Sequence, residues 1–292
     1  MKKVSLAAFI YLVCFLSGAQ FSFNDLAFTS QGSSHLPDTL TWKADVIANG
    51  GVAPTEASLT AVDTWVTAVV GIKSKFIWVS FVCPDNIIAA KTPIYHTLGS
   101  DPATGTATLN APNGLTTGAG LTIITGVNPS SAYTTSDTGL ATYAASVTGG
   151  ETPRYTYGGG NGTTCVSFWG HNNSYCVADT SAWLNCPTAT YTANSYGWLS
   201  FQRTGASAYA IYAAQKSGYA WTTLNSGSTA SGAIPSATGV NSIGWQSSGV
   251  CAAESIGSTV SYLSVTHGMS SADAQTEFNA AAALRQSFGG GF

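Results

Sequence analysis

Apolar and polar residues alternate with a period of two along most of the chain after Pro93. This alternation is typical of strands with one buried face, and turns rich in Gly, Asn, Ser and Pro separate the alternating segments. Many short strands spaced in this way indicate a β-sandwich or a barrel. The predicted strands are Leu121–Ile124, Thr142–Val147, Cys165–Trp169, Trp198–Gln202, Tyr209–Tyr212, Tyr219–Thr222 and Val260–Val265.

Helical spacing replaces the alternation near both ends of the chain. Val62, Trp65 and Val66 lie on one apolar face after Thr60 and Asp63, which match a capping pattern and predict an amphipathic helix. Ser270 and Asp273 repeat the capping pattern near the carboxyl terminus, and Gly289 is placed to end a second, short helix. The sequence therefore predicts helix, β domain and helix in that order.

Two segments before the β domain are less regular. Residues 21–55 are expected to be irregular and partly extended, with a turn at Gly50–Pro54. The dense apolar run Phe76–Val82 fits a buried strand or the second arm of a helical hairpin, because periodicity does not separate the two. We therefore divide the chain into an apolar segment (1–20), an extended and helical region (21–90), a β-sandwich domain (91–268) and a terminal helix with tail (269–292).

The amino terminus carries an apolar segment behind two lysines. Lys2 and Lys3 precede the run Val4–Leu16, and small residues follow it, as in a secretory signal peptide. The run is shorter than the roughly 20 residues that a bilayer span needs, so no stable membrane span is predicted. The alternatives are a cleaved signal and a retained apolar segment that anchors the chain in an assembly.

Charged side chains are scarce, at 8% of the sequence against about 25% in an average protein. Ten Lys and Arg residues are scattered over the whole chain, which argues against nucleic-acid binding. Acid–base catalysis, hard-metal binding and phosphate binding need clustered ionisable groups, so we predict a non-enzymatic protein without cofactor or metal. The eight charges among the 175 residues from Pro93 to His267 are Asp101, Asp137, Glu151, Arg154, Asp179, Arg203, Lys216 and Glu254.

The six cysteines do not match a zinc-binding pattern, and buried thiols or one or two disulfides are expected. A mixed site of Cys165, His171 and Cys176 is the minor alternative.

One loop combines polar and aromatic residues in a way that suits sugars. Gly170–Tyr175 contains His171, Asn172 and Asn173, and Trp169 and Trp183 lie on either side of it. Sugar rings stack on indole faces and accept hydrogen bonds from amides, so these residues are predicted carbohydrate contacts. Trp221 is a third candidate ring. The competing interpretation is an ordinary turn beside a buried tryptophan.

The remaining candidates are expected to be structural. Arg203 and Lys216 fit solvated loop charges better than rim groups of a sugar site, and His96 and His267 fit packed or hydrogen-bonded positions. A serine triad is not expected, since no Gly-x-Ser-x-Gly elbow precedes a helix.

The order of elements resembles the concanavalin A-like lectin and glucanase superfamily of jelly-roll β-sandwiches. Ser261–Gln275 is similar to its last strand and exit helix, and Leu59–Val66 is similar to the helix before the sandwich in some tailed-bacteriophage virion proteins. The resemblance covers roughly residues 58–288. The glucanase motif Glu-x-Asp-x-x-Glu is missing, and with it the paired carboxylates that cleave glycosides.

The resemblance implies a virion structural, decoration or tail-associated protein of a bacteriophage. Its expected partners are other virion proteins, copies of itself and host-surface glycans. The alternative is a secreted bacterial carbohydrate-binding module or adhesin. A glycan-cleaving enzyme would need two carboxylates about 5–9 Å apart.

Overall fold

The computed structural model describes residues 34–81, 85–99, 107–110, 113–116, 123–146, 155–160, 165–171, 174–180, 182–185, 197–215, 220–230, 241–242 and 259–290. Within these residues the protein is mainly antiparallel β-sheet with a few helices, an architecture consistent with a β-sandwich.

The larger sheet has nine strands in the described part of the chain. Seven of them follow the order β13-β12-β11-β6-β15-β1-β2, and β4 joins β15 to β3. Their bounds are β1 (Phe76–Phe81), β2 (Tyr95–His96), β3 (Thr108–Asn110), β4 (Gly114–Thr116), β6 (Thr138–Ser146), β11 (Gly197–Arg203), β12 (Ala208–Gln215), β13 (Trp221–Ser228) and β15 (Thr259–Thr266).

The smaller sheet has six described strands in the order β10-β9-β8-β7-β14-β5. Their bounds are β5 (Ile123–Ile124), β7 (Tyr155–Gly160), β8 (Cys165–His171), β9 (Ser174–Thr180), β10 (Ala182–Asn185) and β14 (Asn241–Ser242).

Five α-helices accompany the sheets in the described residues, and none of them is long and apolar enough to cross a membrane. A 3₁₀ turn, Val70–Lys75, leads from α2 into β1. The helices are α1 (Pro37–Ala48), α2 (Glu56–Ala68), α3 (Ile87–Lys91), α4 (Pro129–Ala132) and α5 (Ser271–Ser287).

Three of the helices cover one face of the larger sheet. We call this layer the helix-side core; α1, α2 and α5 supply Trp42, Trp65 and Phe278 to it, and the sheet supplies Trp198 and Tyr262. The ring of Trp198 lies 5.1 Å from that of Tyr262 and 5.7 Å from that of Phe278. Large aromatic side chains thus fill the space between helix and sheet.

The other face of the same sheet carries a second core, which includes Trp78, Leu140, Phe201 and Val265. Because both faces are covered, every residue of β11 and of β15 is buried. This explains why these strands contain apolar residues at positions that a half-exposed strand would leave polar.

All seven predicted strand segments overlap strands in the structure. The ambiguous run Phe76–Val82 forms β1, with Phe76–Phe81 in the strand. β-Branched and aromatic residues dominate this run, and their side chains pack well on a pleated surface.

The first predicted helix starts earlier than its pattern indicated. Thr55 caps α2 and accepts a hydrogen bond from the Ser58 N–H, whereas Thr60 lies inside the helix. Asp63 does not cap this helix but bonds to the preceding segment. The cap of α5 follows the pattern: the Ser270 hydroxyl accepts a hydrogen bond from the Asp273 N–H, and Gly289 has a positive φ of 78° just past the end.

The expectation of an irregular 21–55 segment is wrong for Pro37–Ala48, which forms α1. Leu36 is the N-cap residue and offers no side-chain hydrogen bond, so the usual Ser, Thr, Asp or Asn signal is missing. The remaining signals are proline at the first helical position and Asp38 in the first turn. Only Thr39, Trp42 and Val46 are buried, which leaves a weak apolar stripe.

Candidate functional site

Strand pairing places three of the predicted sugar contacts on one face of the smaller sheet. Trp183 of β10 pairs with Ala178 of β9, and Ala178 pairs with Ser167 of β8. Paired residues share a face, and so do residues two apart on one strand. Trp169 and His171 therefore occupy the same face as Trp183.

The two tryptophans are separated by two strand spacings across the sheet and by two residues along it. With strands about 4.8 Å apart and residues about 3.4 Å apart, their Cα atoms are about 12 Å from each other. That separation suits a short oligosaccharide rather than a single sugar.

We call this surface the Trp face. Apart from its two indoles it holds small or polar residue types, and His171 is its one ionisable side chain other than cysteine among the described positions. The residues of β7–β10 on the Trp face are Thr156, Gly158, Gly160, Cys165, Ser167, Trp169, His171, Ser174, Cys176, Ala178, Thr180, Trp183 and Asn185.

The opposite face of these strands is more apolar in residue type. It carries Tyr155, Tyr157, Val166, Phe168, Tyr175, Val177 and Leu184, together with the small residues Gly159, Gly170 and Ala182 and one charged residue, Asp179. When one face of an antiparallel sheet covers a core and the other meets solvent, the apolar set faces the core. The alternation therefore separates the Trp face from a more apolar face.

The predicted polar loop Gly170–Tyr175 is shorter in the structure. β8 and β9 already pair at His171 and Ser174, so Gly170 and Tyr175 also lie in strands. Asn172 and Asn173, which connect the two strands, lie outside the described residues.

Trp221 does not join the other two tryptophans, because it belongs to the larger sheet. Its ring stacks on Tyr212, with ring centres 5.0 Å apart and planes at 21°, and also contacts Phe278 at 5.6 Å. Trp221 thus closes the margin of the helix-side core, and both contacts occupy ring surface that a sugar would need.

Register also separates the cysteines of the minor zinc alternative. Cys165 and His171 stand six residues apart on β8, about 20 Å, which a single metal ion does not bridge. Cys165 pairs with Thr180, and Cys176 lies four residues from Thr180 along β9. Cys165 and Cys176 are therefore too far apart for a disulfide.

Arg203 is not the solvated loop charge that was predicted. It is fully buried at the end of β11, where its guanidinium donates hydrogen bonds to the carbonyl oxygens of Thr229 at 2.9 Å and Ala206 at 3.4 Å. Its guanidinium also lies 5.9 Å from the ring centre of Tyr209. Arg203 therefore holds the connection between β11, β12 and β13. Lys216 lies outside the described residues.

Two of the predicted structural histidines have different surroundings. His96 is exposed at the end of β2. His267 Nδ1 lies 2.8 Å from Asp137 Oδ2, and the other carboxylate oxygen accepts a hydrogen bond from the Gly268 N–H at 2.6 Å. Both side chains are about 40% exposed (40% and 41%). The pair ties the exit from β15 to the start of β6, and a carboxylate that orients an imidazole is also an arrangement suited to proton transfer.

Glu277 is a buried carboxyl group that the sequence analysis missed. It lies on α5, is 0% exposed, and its Oε1 accepts hydrogen bonds from Tyr262 Oη at 2.9 Å and Ser264 Oγ at 2.5 Å. Oε2 is buried without a hydrogen-bond partner among the described residues. Burial raises the pKa of Glu277 to about 7, although the two hydrogen bonds oppose the rise.

His35 bridges two carboxylates at the base of α1 and α2. Its Nδ1 lies 2.6 Å from Asp63 Oδ2 and its Nε2 lies 2.6 Å from Glu56 Oε1, and only 8% of the side chain is exposed. The hydrogen bond with Asp63 raises the pKa of His35; burial opposes the rise, and Glu56 adds to it. The cationic form of His35 therefore stabilises the packing of α1 on α2.

We expect His35→Gln to lower the melting temperature more at pH 6 than at pH 9. The raised pKa means that the imidazolium contributes fully below pH 6.5 and that its contribution disappears as pH rises through the folded-state value. Thermal unfolding at several pH values measures the difference. Glu56→Gln, which leaves the Asp63 contact, should show a smaller pH-dependent loss, and a loss in His35→Gln that does not change with pH would contradict the assignment.

No protein-family model matches the chain, and no characterised protein matches it at the level of sequence. Solved structures do show similarity. Domain 4 of AbnA, a GH43 extracellular arabinanase from Geobacillus stearothermophilus in complex with arabinotriose, is 12% identical with a TM-score of 0.39, over 70% of this chain and 86% of that domain.

Two further structures match over a smaller share of their own length. Trypanosoma rangeli sialidase in complex with sialic acid is 15% identical with a TM-score of 0.47, over 80% of this chain and 39% of the sialidase. The binding domain of botulinum neurotoxin serotype D is 8% identical with a TM-score of 0.44, over 73% of this chain and 52% of that domain. At these values the likeness does not assign a ligand or a reaction to this chain.

The prediction of a non-enzymatic protein is not retained. The similar structures include one domain of a GH43 arabinanase, a GH54 α-L-arabinofuranosidase and a sialidase. The premise of the prediction also fails, because it judged clustering along the sequence. Folding brings together Asp137 and His267, which are 130 residues apart, and His35 with Asp63, 28 residues apart.

Two of the five carboxylates of the predicted sandwich domain lie within the described residues. Asp101, Glu151 and Glu254 lie outside them, Asp137 is paired with His267, and Asp179 belongs to β9.

Proposed function

We propose that the protein binds carbohydrate on the Trp face of its smaller sheet. The observation that carries the proposal is the register of β8, β9 and β10, which puts Trp169, His171 and Trp183 on one face. Two indoles on a face otherwise made of small or polar residue types, which we take to meet solvent, are unusual for solubility alone, since tryptophan is costly to expose.

The chemistry of this face suits a neutral sugar chain. Sugars present apolar ring faces and hydroxyl groups, and indoles with nearby hydroxyl and amide side chains complement both. The Trp face carries no carboxylate at the described positions, so it would not repel or strongly attract a charged ligand. Trp169 and Trp183, about 12 Å apart, would each stack on a different sugar of the same chain.

Alanine variants of the two indoles test the proposal. We expect Trp169→Ala and Trp183→Ala each to weaken binding to the best ligand on a glycan array by at least about tenfold, because stacked aromatic rings dominate such contacts. Trp221→Phe is the matched control: it removes a tryptophan from the other sheet but keeps an aromatic ring against Tyr212, and binding should be unchanged.

The glycan array and titration calorimetry can also refute the proposal. A wild-type protein that binds none of the glycans rules the proposal out. Binding that survives in both alanine variants would move the site away from the Trp face.

The finer assignments from the sequence stay predictions. They are the concanavalin A-like jelly roll, the place in a bacteriophage virion among other virion proteins, and the alternative of a secreted adhesin. What supports an assembly or an extracellular setting is the low charge, 8% of residues with a net charge of −3. Purified particles with this chain in fixed stoichiometry would favour the virion, and a free chain in culture medium that starts near Ala19 or Gln20 would favour secretion.

A further inference from the structure

The larger sheet ends in one long strand, β13, which has eight residues and pairs only with β12 in the described part of the chain. The strands at the other described sheet margins are short: β2 and β5 have two residues each, β3 has three and β10 has four. Short edge strands offer few free backbone groups to another strand. β13 is therefore the one described margin that is long enough to extend a sheet.

β13 also lacks the side chains that usually protect a sheet edge. Its sequence, Trp-Thr-Thr-Leu-Asn-Ser-Gly-Ser, contains neither a charged residue nor a proline. Lysine, proline and inward-pointing charges are the common means by which edges avoid pairing. The pairing with β12 has one irregularity: Asn225 pairs with Ile211 and Thr223 pairs with Tyr212, so Leu224 is an extra residue between the two pairs. The pairing continues on both sides of this residue.

The surface of the strand is open to solvent. Five of its eight residues are exposed; four of the five carry a hydroxyl group, and the fifth is a glycine. They are Thr222, Thr223, Ser226, Gly227 and Ser228.

We propose that the β13 edge is a self-association surface, at which β13 pairs antiparallel with β13 of a second copy of the chain. Antiparallel pairing of identical strands satisfies a two-fold axis, the commonest symmetry of homodimers. The two larger sheets then form one continuous sheet through the dimer.

A second copy is the partner that the edge fits best. Main-chain pairing needs an extended strand, and an uncharged edge requires a partner that brings no unpaired charge to it. β13 itself meets both conditions. Because the strand has no charge, two copies do not repel each other directly, and opposed threonines form favourable cross-strand pairs. A net charge of only −3 adds little long-range repulsion between the copies.

Lysines on the edge strand test the proposal. We expect the full-length wild type to sediment as a dimer at micromolar concentrations, and the double variant Thr223→Lys/Ser226→Lys to weaken the dimer at least about tenfold, since four lysines then meet at the two-fold axis. The matched control is Thr60→Lys/Thr64→Lys on the exposed side of α2, which adds the same charge and should leave the dimer intact.

Amide hydrogen exchange identifies the surface directly. The backbone amides of β13 should exchange more slowly when the wild-type concentration is raised through the dimer range, and those of the edge variant should not respond. A wild type that stays monomeric up to about 100 μM, well above the micromolar affinity of a weak dimer, overturns the proposal. So does a dimer that the edge variant forms as tightly as the wild type.

Discussion

Replacing Gly268 with alanine should destabilise the protein by about 3 to 5 kcal/mol, among the largest effects of a single methyl group. Gly268 lies between β15 and α5, where the chain passes directly over the end of β11. An added Cβ would overlap the carbonyl oxygen of Arg203 and lie 2.9 Å from its carbonyl carbon. Backbone atoms do not rotate away from a clash, so the exit loop itself would have to move.

That movement would break two hydrogen bonds on either side of the loop. The Gly268 N–H donates to Asp137 Oδ1 at 2.6 Å, and the Met269 N–H donates to Gln202 Oε1 at 2.9 Å. Gln202 and Met269 are buried, so their separation leaves polar groups without partners, which is costly. The position of α5 on the sheet thus depends on the absence of a side chain at Gly268.

The matched control is Gly71→Ala in the 3₁₀ turn after α2. A Cβ at Gly71 meets nothing within 4 Å, so the change in the free energy of unfolding should be below about 1 kcal/mol. Urea denaturation of both variants measures the comparison. Equal losses in the two variants would show that the contact over Arg203 has no special role.

The strands were predictable because alternation is a local property of the sequence. Each of the seven segments could be recognised from its own residues, without knowledge of its neighbours. Strand order and register are not local: no feature near Trp169 or Trp183 reveals that β8 and β10 lie on either side of β9. The candidate rings were therefore predictable from the sequence, but the face that they share was not.

Buried charges were the main error of the sequence analysis, for a related reason. Arg203 and Glu277 are polar residues in segments whose periodicity allows either face, so exposure is the default expectation. Their burial depends on distant partners, Thr229 for Arg203 and Tyr262 for Glu277. Helix α1 escaped detection because Leu36 replaces the polar cap that usually marks a helix start.

We expect Glu277→Gln to change sign in its effect on stability between pH 5 and pH 8. The carboxyl group has a pKa of about 7 in the folded protein against 4.5 for an unperturbed glutamic acid. A raised folded-state pKa means that the wild type is fully stabilised below pH 4.5 and loses stability as pH rises through 7. The size of this loss is about 3 kcal/mol.

The glutamine variant lacks the titration but carries an amide group in the same buried place. Its oxygen can accept the bonds from Tyr262 and Ser264, while its NH₂ group faces the position of Oε2, which has no described partner. The amide has two N–H donors where the protonated carboxyl group has one O–H donor, and each additional unsatisfied donor costs about 1 kcal/mol or more. The variant should thus be less stable than the wild type at pH 5 and more stable at pH 8.

Urea denaturation of both proteins at pH 5, 6, 7 and 8 measures this crossing. The difference between the two proteins isolates Glu277, because other titrating groups such as His35 contribute equally to both. Tyr262→Phe provides a second comparison, because it removes a hydrogen bond that lowers the pKa of Glu277. This variant should therefore lose stability at a higher pH than the wild type does. A difference between wild type and Glu277→Gln that stays constant from pH 5 to pH 8 would mean that the carboxyl group does not change its charge in this range, which would contradict the raised pKa of Glu277.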